Sequence, residues 1–158
     1  MITTQILNEG FKKKYLQENI VWNKDECKKL ASNPKTPTRI LFALLNHESF
    51  LVRMLVARNP SSPANFLAHL ANDSSPSVRR AVAENPNTHT YTLMSLAKDD
   101  EWQVRASVAE NPNTSQETLV ELAQDADEYV KECAISKIPL YMVNDSELEY
   151  SDDNWDDY

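Results

Sequence analysis

Glycine is almost missing from this sequence: Gly10 is the single one among 158 residues. A loop that wraps a phosphate in backbone amides needs several closely spaced glycines, so most nucleotide-binding readings are excluded. Long apolar runs are missing too. No stretch approaches the roughly 20 residues that cross a bilayer, and residues 1–10 lack the basic-then-apolar order of a secretory signal, so we expect a cytoplasmic protein with no membrane association. Cysteine is scarce, and Cys27 and Cys133 stand near opposite ends of the chain. In an elongated array they lie too far apart to bridge, which predicts two reduced, half-buried thiols. His47, His69 and His89 occupy unlike places in the repeat described below, so stacking is not expected to bring them together as metal ligands. No Ser, His and Asp set and no carboxylate pair has a spacing that suggests catalysis. These absences predict a protein that is not an enzyme and has no metal, cofactor or small-molecule substrate.

What the sequence has instead is a word written several times. Asn-Pro recurs at Asn33-Pro34, Asn59-Pro60, Asn85-Pro86 and Asn111-Pro112, each pair 26 residues after the last, with no insertion between them. Fixed periods of this length mark a stacked-repeat solenoid. Four units begin at Glu26, Val52, Val78 and Val104, and a truncated fifth begins at Val130. Each opens with apolar residues spaced as one face of a two-turn helix, such as Val78, Val82 and Ala83. Asn-Pro ends that helix, because proline lacks the amide a continuing helix uses and pushes the preceding residue out of helical geometry. Thr36, Ser62, Thr88 and Thr114 follow two residues on and read as caps of a second helix, with Pro37 and Pro63 in its first turn and Glu117 completing a capping box with Thr114. The second helix carries Leu41 with Leu44, Leu67 with Leu70, Leu93 with Leu96 and Leu119 with Leu122. Such a stripe is too narrow to fold alone, and stacking joins the stripes into one core.

The consensus Val-Arg-x-x-Val-Ala-x-Asn-Pro-x-Thr, followed by Leu-x-x-Leu-Ala-x-Asp, resembles the leucine-rich-repeat variant family and, more loosely, HEAT-type repeats. The resemblance covers about Glu26 to Ile138, and it implies a right-handed superhelix pairing an α-helix with a short, often 3₁₀, helix in each unit. Some members of that family carry an iron–sulfur cluster, which takes about four Cys ligands; two cysteines do not supply it, so no cofactor is carried over. The fifth unit departs from the consensus, with Lys137-Ile138-Pro139 in place of Asn-Pro, and resembles a terminal cap. The fold class expected is all-α, an α-solenoid of four 26-residue two-helix repeats plus a truncated fifth. An N-terminal helical cap over residues 1–25 precedes the solenoid of residues 26–143, and an acidic disordered tail, residues 144–158, follows it.

Charge is unevenly written. Residues 1–60 hold ten Lys and Arg against five Asp and Glu, residues 61–143 hold six against twelve, and residues 144–158 hold seven acids and no base. In a solenoid the order of the sequence is also an order in space, so this polarity should survive folding. Arg53, Arg79, Arg105 and Lys131 share one repeat position. They read as a ladder of ion pairs with Asp73, Asp99 and Asp125 between neighbouring units, ahead of a cationic stripe for an acidic partner; Arg80, outside the register, reads as free. The Asn of each Asn-Pro pair reads as structural, its side-chain amide serving loop backbone groups.

Columns that vary between otherwise constant repeats are where recognition is expected. One runs Arg39, Asn65, Tyr91, Glu117; a second runs Ala43, His69, Ser95, Glu121; a third runs Ser32, Arg58, Glu84, Glu110. With Arg80, Trp102 and Trp155 they supply the candidate partner-binding residues. The function expected is a scaffold that binds another protein, with the acidic C-terminal half meeting a basic surface; an inhibitor that covers a cationic active site is a narrower version. The alternative is nucleic-acid binding by the basic half through Lys12, Lys13, Lys14, Lys28, Lys29, Arg39, Arg53 and Arg58, with the tail competing; a sequence pI near 4.9 stands against it.

Overall fold

The computed structural model describes residues 23–139, and every regular element among them is helical. Residues 1–22 of the expected N-terminal helical cap and the acidic tail, including Trp155, lie outside the described residues, while Lys24 and Asp25, expected in the cap, already belong to the first helix of the stack. Long and short helices alternate. The long ones are α1 (Lys24–Ser32), α3 (Phe50–Arg58), α5 (Pro76–Glu84), α7 (Trp102–Glu110) and α9 (Glu128–Ile135), and the short ones are α2 (Thr38–Leu44), α4 (Ala64–Leu70), α6 (Thr90–Leu96) and α8 (Gln116–Leu122). The long helices pack on one another in chain order, α1 on α3, α3 on α5, α5 on α7 and α7 on α9. Each short helix lies against the long helices on either side of it and touches the other short helices far less. The chain is therefore an α-solenoid of two layers, and distance along the sequence is distance along the stack.

One core runs through it. Val52, Val56, Val78, Val82, Val104 and Val108 from the long helices meet Leu41, Leu44, Leu67, Leu70, Leu93 and Leu122 from the short ones, all fully buried. Removing any one of these Leu side chains costs about 2–5 kcal/mol in transfer and cavity terms. Among the described residues no helix is long and apolar enough to cross a membrane.

The Asn-Pro word ends four long helices as expected. Asn33, Asn59, Asn85 and Asn111 all sit in extended backbone, with φ between −81° and −68° and ψ between 118° and 130°, the conformation a following proline imposes. The hydroxyls two residues after each Pro behave differently from the sequence expectation. Thr36, Ser62, Thr88 and Thr114 do not cap the next helix; each donates to a carbonyl six residues back, Leu30 O, Val56 O, Val82 O and Val108 O, at 2.5–2.6 Å. They give a second donor to last-turn carbonyls of the helix already finished, each of which also accepts the backbone amide of the Asn that ends the helix at 3.1–3.3 Å. The short helices begin one residue later, after Pro37, Pro63, His89 and Ser115. Pro37 and Pro63 are thus caps rather than first-turn residues, and it is Ser115, accepting from the Thr118 amide, that caps α8 in place of the Thr114–Glu117 box.

Candidate functional site: the repeat ladders and the two outer faces

Two polar ladders run along the stack. In the first, Asn59 Nδ2 donates to Ala31 O and Asn33 O at 2.7 and 2.9 Å, Asn85 Nδ2 to Ala57 O and Asn59 O at 2.6 and 3.2 Å, and Asn111 Nδ2 to Ala83 O and Asn85 O at 2.6 and 3.0 Å. Each of these asparagines is buried and reaches back one whole repeat. Its Oδ1 serves the local loop, accepting from the amide two residues on, as Asn85 does from Asn87 at 2.8 Å. The amide nitrogen therefore belongs to the preceding unit and not to the loop alone. Asn87 and Asn113 add a parallel row, donating to Pro60 O and Pro86 O at 2.7 and 2.6 Å.

The second ladder is ionic. Arg53, Arg79 and Arg105 meet Asp73, Asp99 and Asp125 through Nε and Nη2, with every Nε–Oδ2 distance 2.6 Å and the Asp side chains only 6–9 % exposed. These pairs join residues of one 26-residue unit and not of two. The link between units is the remaining Nη1, which donates to the carbonyl of the unit before: Arg53 to His47, Arg79 to Asp73 and Arg105 to Asp99, at 2.7–2.9 Å. Each Asp also accepts the amide two residues on, from Ser75, Glu101 or Asp127. Burial pushes the Asp73 and Asp99 carboxyls up, but the hydrogen bonds from Arg and amide, with the Arg charges, outweigh it and hold both below the usual carboxylate value. At Asp125 the bond from Arg105 is the largest influence, and the shift is again downward.

The ladder has three rungs. Lys131 leaves it, pairing with Glu128 at 2.6 Å; a lysine has no fork to grip a carboxylate, and twenty residues on the sequence has Ser151. At the other end Cys27 stands at the Arg position and His47 at the Asp position. His47 keeps half the Asp role, its Nδ1 accepting the Ser49 amide at 3.0 Å. Cys27 is fully buried rather than half-buried, Cys133 is half-buried, neither forms a disulfide among the described residues, and both thiols are pushed up chiefly by burial.

Charge pairing also corrects Arg80, which is not free: its Nε donates to Glu84 at 2.7 Å, while Arg58 holds the other Glu84 oxygen at 3.2 Å. With Lys28 on Asp25, Arg53 in the ladder and Arg58 on Glu84, three cations of the basic half are engaged by carboxylates. His47 and His69 line one cleft of about 490 Å³ between the loops after α2 and α4, where His69 Nε2 sits 2.8 Å from Asn46 Oδ1 of the preceding repeat. Stacking placed them there because the loop position of one unit overlies the short helix of the next. Among the described residues no three His, Cys, Asp or Glu side chains gather to hold a metal ion.

The residue pattern and the stack together point to one repeat type. A family model described as leucine rich repeat variant matches residues 102–127, which spans α7 through α8 and the loop after it. A solved structure described as a leucine-rich repeat variant with a novel repetitive protein structural motif is similar to this chain, with 27% sequence identity and a TM-score of 0.64 over 78% of this chain. The unit at residues 102–127 is of the leucine rich repeat variant type. The alignment takes in 49% of that structure's chain, so this protein corresponds to about half its length. No curated protein matches. The function common to these observations is that of a repeat scaffold.

On this array the candidate recognition residues divide between the two layers. Arg39, Asn65, Tyr91 and Glu117 stand exposed on the short helices, beside His69, Ser95 and Glu121, and Lys98 reaches Glu121 at 3.5 Å. Tyr91 stacks on His89 with ring centroids 5.4 Å apart. Arg58, Glu84, Glu110, Arg80 and Trp102 are on the long helices. Between the two aromatic rings there, Trp102 and Tyr129, the centroid distance is 5.7 Å in an edge-to-face arrangement.

The sequence reading passed over a third row. Phe42, Ala68, Met94 and Val120 occupy the same position in four successive short helices, and all are exposed, Phe42 by 54 % and Met94 by 45 %. The core stripes use the neighbouring residues Leu41, Leu67, Leu93 and Leu119; of the row itself, Phe42 leans on the buried Phe66 ring at 5.8 Å and still leaves half its surface exposed. The signal was available as an apolar column at the 26-residue period lying off the Leu-x-x-Leu face.

Proposed function

We propose that this chain is a non-enzymatic scaffold that binds a protein partner along its short-helix face. The observation that carries the reading is the apolar row Phe42, Ala68, Met94 and Val120, exposed and in register. Contiguous exposed apolar surface rimmed by polar residues is the mark of an interaction site. The rim here changes along the stack, from Arg39 at one end through Tyr91 to Glu117 and Glu121 at the other. A partner that fits this gradient presents basic residues to the C-terminal repeats, and such complementarity speeds encounter and fixes orientation more than it adds affinity.

The test is site-specific photo-crosslinking in the native host, with the reactive residue at Met94 and, as a control, at Lys29 on α1. A discrete protein adduct from position 94, absent from position 29 and diminishing as salt is raised, is the expected result. No protein adduct, or nucleic acid as the captured species, refutes protein binding by this face. An adduct indifferent to salt refutes the basic-partner part.

A further inference from the structure

The long-helix layer carries a separate feature that the short-helix face does not explain. A groove of about 160 Å³ opens across α5, α7 and α9. It exists because of one small side chain. Ala106 stands where the register-matched residues are Met54, Arg80 and Glu132, all long and all accommodated by the fold, so alanine leaves space that its neighbours fill. Ser107 at the floor is turned inward, its hydroxyl donating to Gln103 O at 3.0 Å.

What the groove offers is acceptors. Gln103 Oε1 is buried with no hydrogen-bond partner, a state that costs about 1–3 kcal/mol unless a donor arrives. Glu110 lines the same groove, and no cation is paired with it among the described residues. Trp102 and Tyr129 meet edge to face at 5.7 Å and leave the rest of their rings to solvent, 41 % and 52 % exposed. Aromatic faces attract cations, most strongly a guanidinium or ammonium over Trp. The one cation at the rim, Arg80, is already held by Glu84.

We propose that this groove binds an arginine side chain presented by a protein partner. A guanidinium is flat enough to stack on Trp102, and its five N–H groups spread in a fork, so one edge can face the Glu110 carboxylate while another meets Gln103 Oε1 once that side chain turns from its buried position. An ammonium supplies charge without the planar stacking surface, and a carboxylate or phosphate finds no unpaired donor except the outer nitrogens of Arg80. The proposal does not rest on the short-helix face, since every residue it uses is in the other layer.

The experiment uses the full chain and three blocked tripeptides, acetyl-Gly-X-Gly-amide with X as arginine, citrulline or glutamate. The reading is the indole N–H resonance of Trp102, distinguished from those of Trp22 and Trp155 by its loss in Trp102→Phe. The arginine peptide shifts that resonance saturably. Citrulline, equal in shape but uncharged, binds at least tenfold more weakly, and Glu110→Gln weakens the arginine peptide by a similar factor. Arg80→Gln strengthens it about two- to fivefold, because a like charge leaves the rim while Glu84 keeps Arg58 as its partner; lost folding cannot produce tighter binding, so this arm stands even if another variant is damaged. No shift, equal binding of arginine and citrulline, indifference to Glu110→Gln, or a preference for the glutamate peptide each overturns the proposal.

Discussion

Truncating one asparagine at four places separates the role of a loop residue from that of a link between repeats. In Asn85→Ala the lost side chain donates to Ala57 O at 2.6 Å and Asn59 O at 3.2 Å and accepts the Asn87 amide at 2.8 Å. Asn59 O keeps a second donor, the Ser62 amide at 3.0 Å, so it is not stranded. Ala57 O is one of the last-turn carbonyls of α3 and loses its partner in a buried place; the Asn87 amide loses its acceptor near the surface. One deeply buried unpaired group and one partly solvated one, at about 1–3 kcal/mol each, predict a loss of about 3 kcal/mol, a large part of the total for a domain of this size. Asn59→Ala and Asn111→Ala should cost the same, since their bonds repeat the pattern. Asn33 is exposed, its amide reaches no earlier carbonyl among the described residues, and its Oδ1 accepts only the Lys35 amide at 2.9 Å. Asn33→Ala should therefore cost less than about 1 kcal/mol, the value of one local bond. Urea denaturation followed by far-ultraviolet circular dichroism measures all four from shifts in midpoint at a common slope. If Asn33→Ala and Asn85→Ala destabilise equally, the cross-repeat bonds contribute nothing and the ladder reading fails.

Thr88→Val keeps the shape of a fully buried side chain but removes one of two donors to Val82 O, which retains the Asn85 amide at 3.1 Å, so it should cost about 0.5–1.5 kcal/mol in the same urea assay; no loss would mean the hydroxyl does not serve that carbonyl. Asp73, Asp99 and Asp125 have pKa values held below the ordinary 3.8 in the folded state, so their contribution is fully present above about pH 4 and is lost as pH falls through the lowered folded values. Thermal melting should therefore fall steeply below about pH 4 in the parent and less steeply in Asp99→Asn, and equal acid slopes would remove Asp99 from the cause. Burial raises both thiols, so alkylation with a maleimide should be slow in the native state, with half-buried Cys133 modified well before buried Cys27 when peptides are mapped by mass spectrometry; the reverse order would contradict the packing around α1.

The architecture was legible because two cheap signals coincide. Pro forces the residue before it into extended backbone, so Asn-Pro at a constant interval gives both the helix ends and the repeat length, and the Leu-x-x-Leu stripe supplies the second layer. What the sequence hides is direction. Thr88 lies between two helices and has the composition of a cap for either; only the positions of Val82 O and the Thr90 helix decide that it looks backward. The Asn85 amide has the same ambiguity, since loop satisfaction and a bond 28 residues away look alike in one dimension. Arg80 with Glu84 is the opposite case, an i, i+4 pair readable from the sequence but outside the repeated register. The cleft shared by His47 and His69 was missed because positions compared by register omit the overlap of one unit's loop with the next unit's short helix.

A consequence follows for how a repeat of this kind separates folding from recognition. The groups that recur without change, Asn at the helix end, Arg and Asp in the ionic ladder and Leu in the stripe, all point along the stack or into it and are satisfied there. Their partners are carbonyls, carboxylates and side chains of the same array, so none is left to meet another molecule. Positions pointing outward differ from unit to unit, as Arg39, Asn65, Tyr91 and Glu117 do. The informative outward positions are then those that break both habits: Phe42, Met94 and Val120 stay apolar where solvent should favour polarity, and Gln103 is left buried and unpaired where the scaffold would satisfy it. Each departure carries a cost the stack does not recover, and a bound partner would offset it by covering the first and donating to the second.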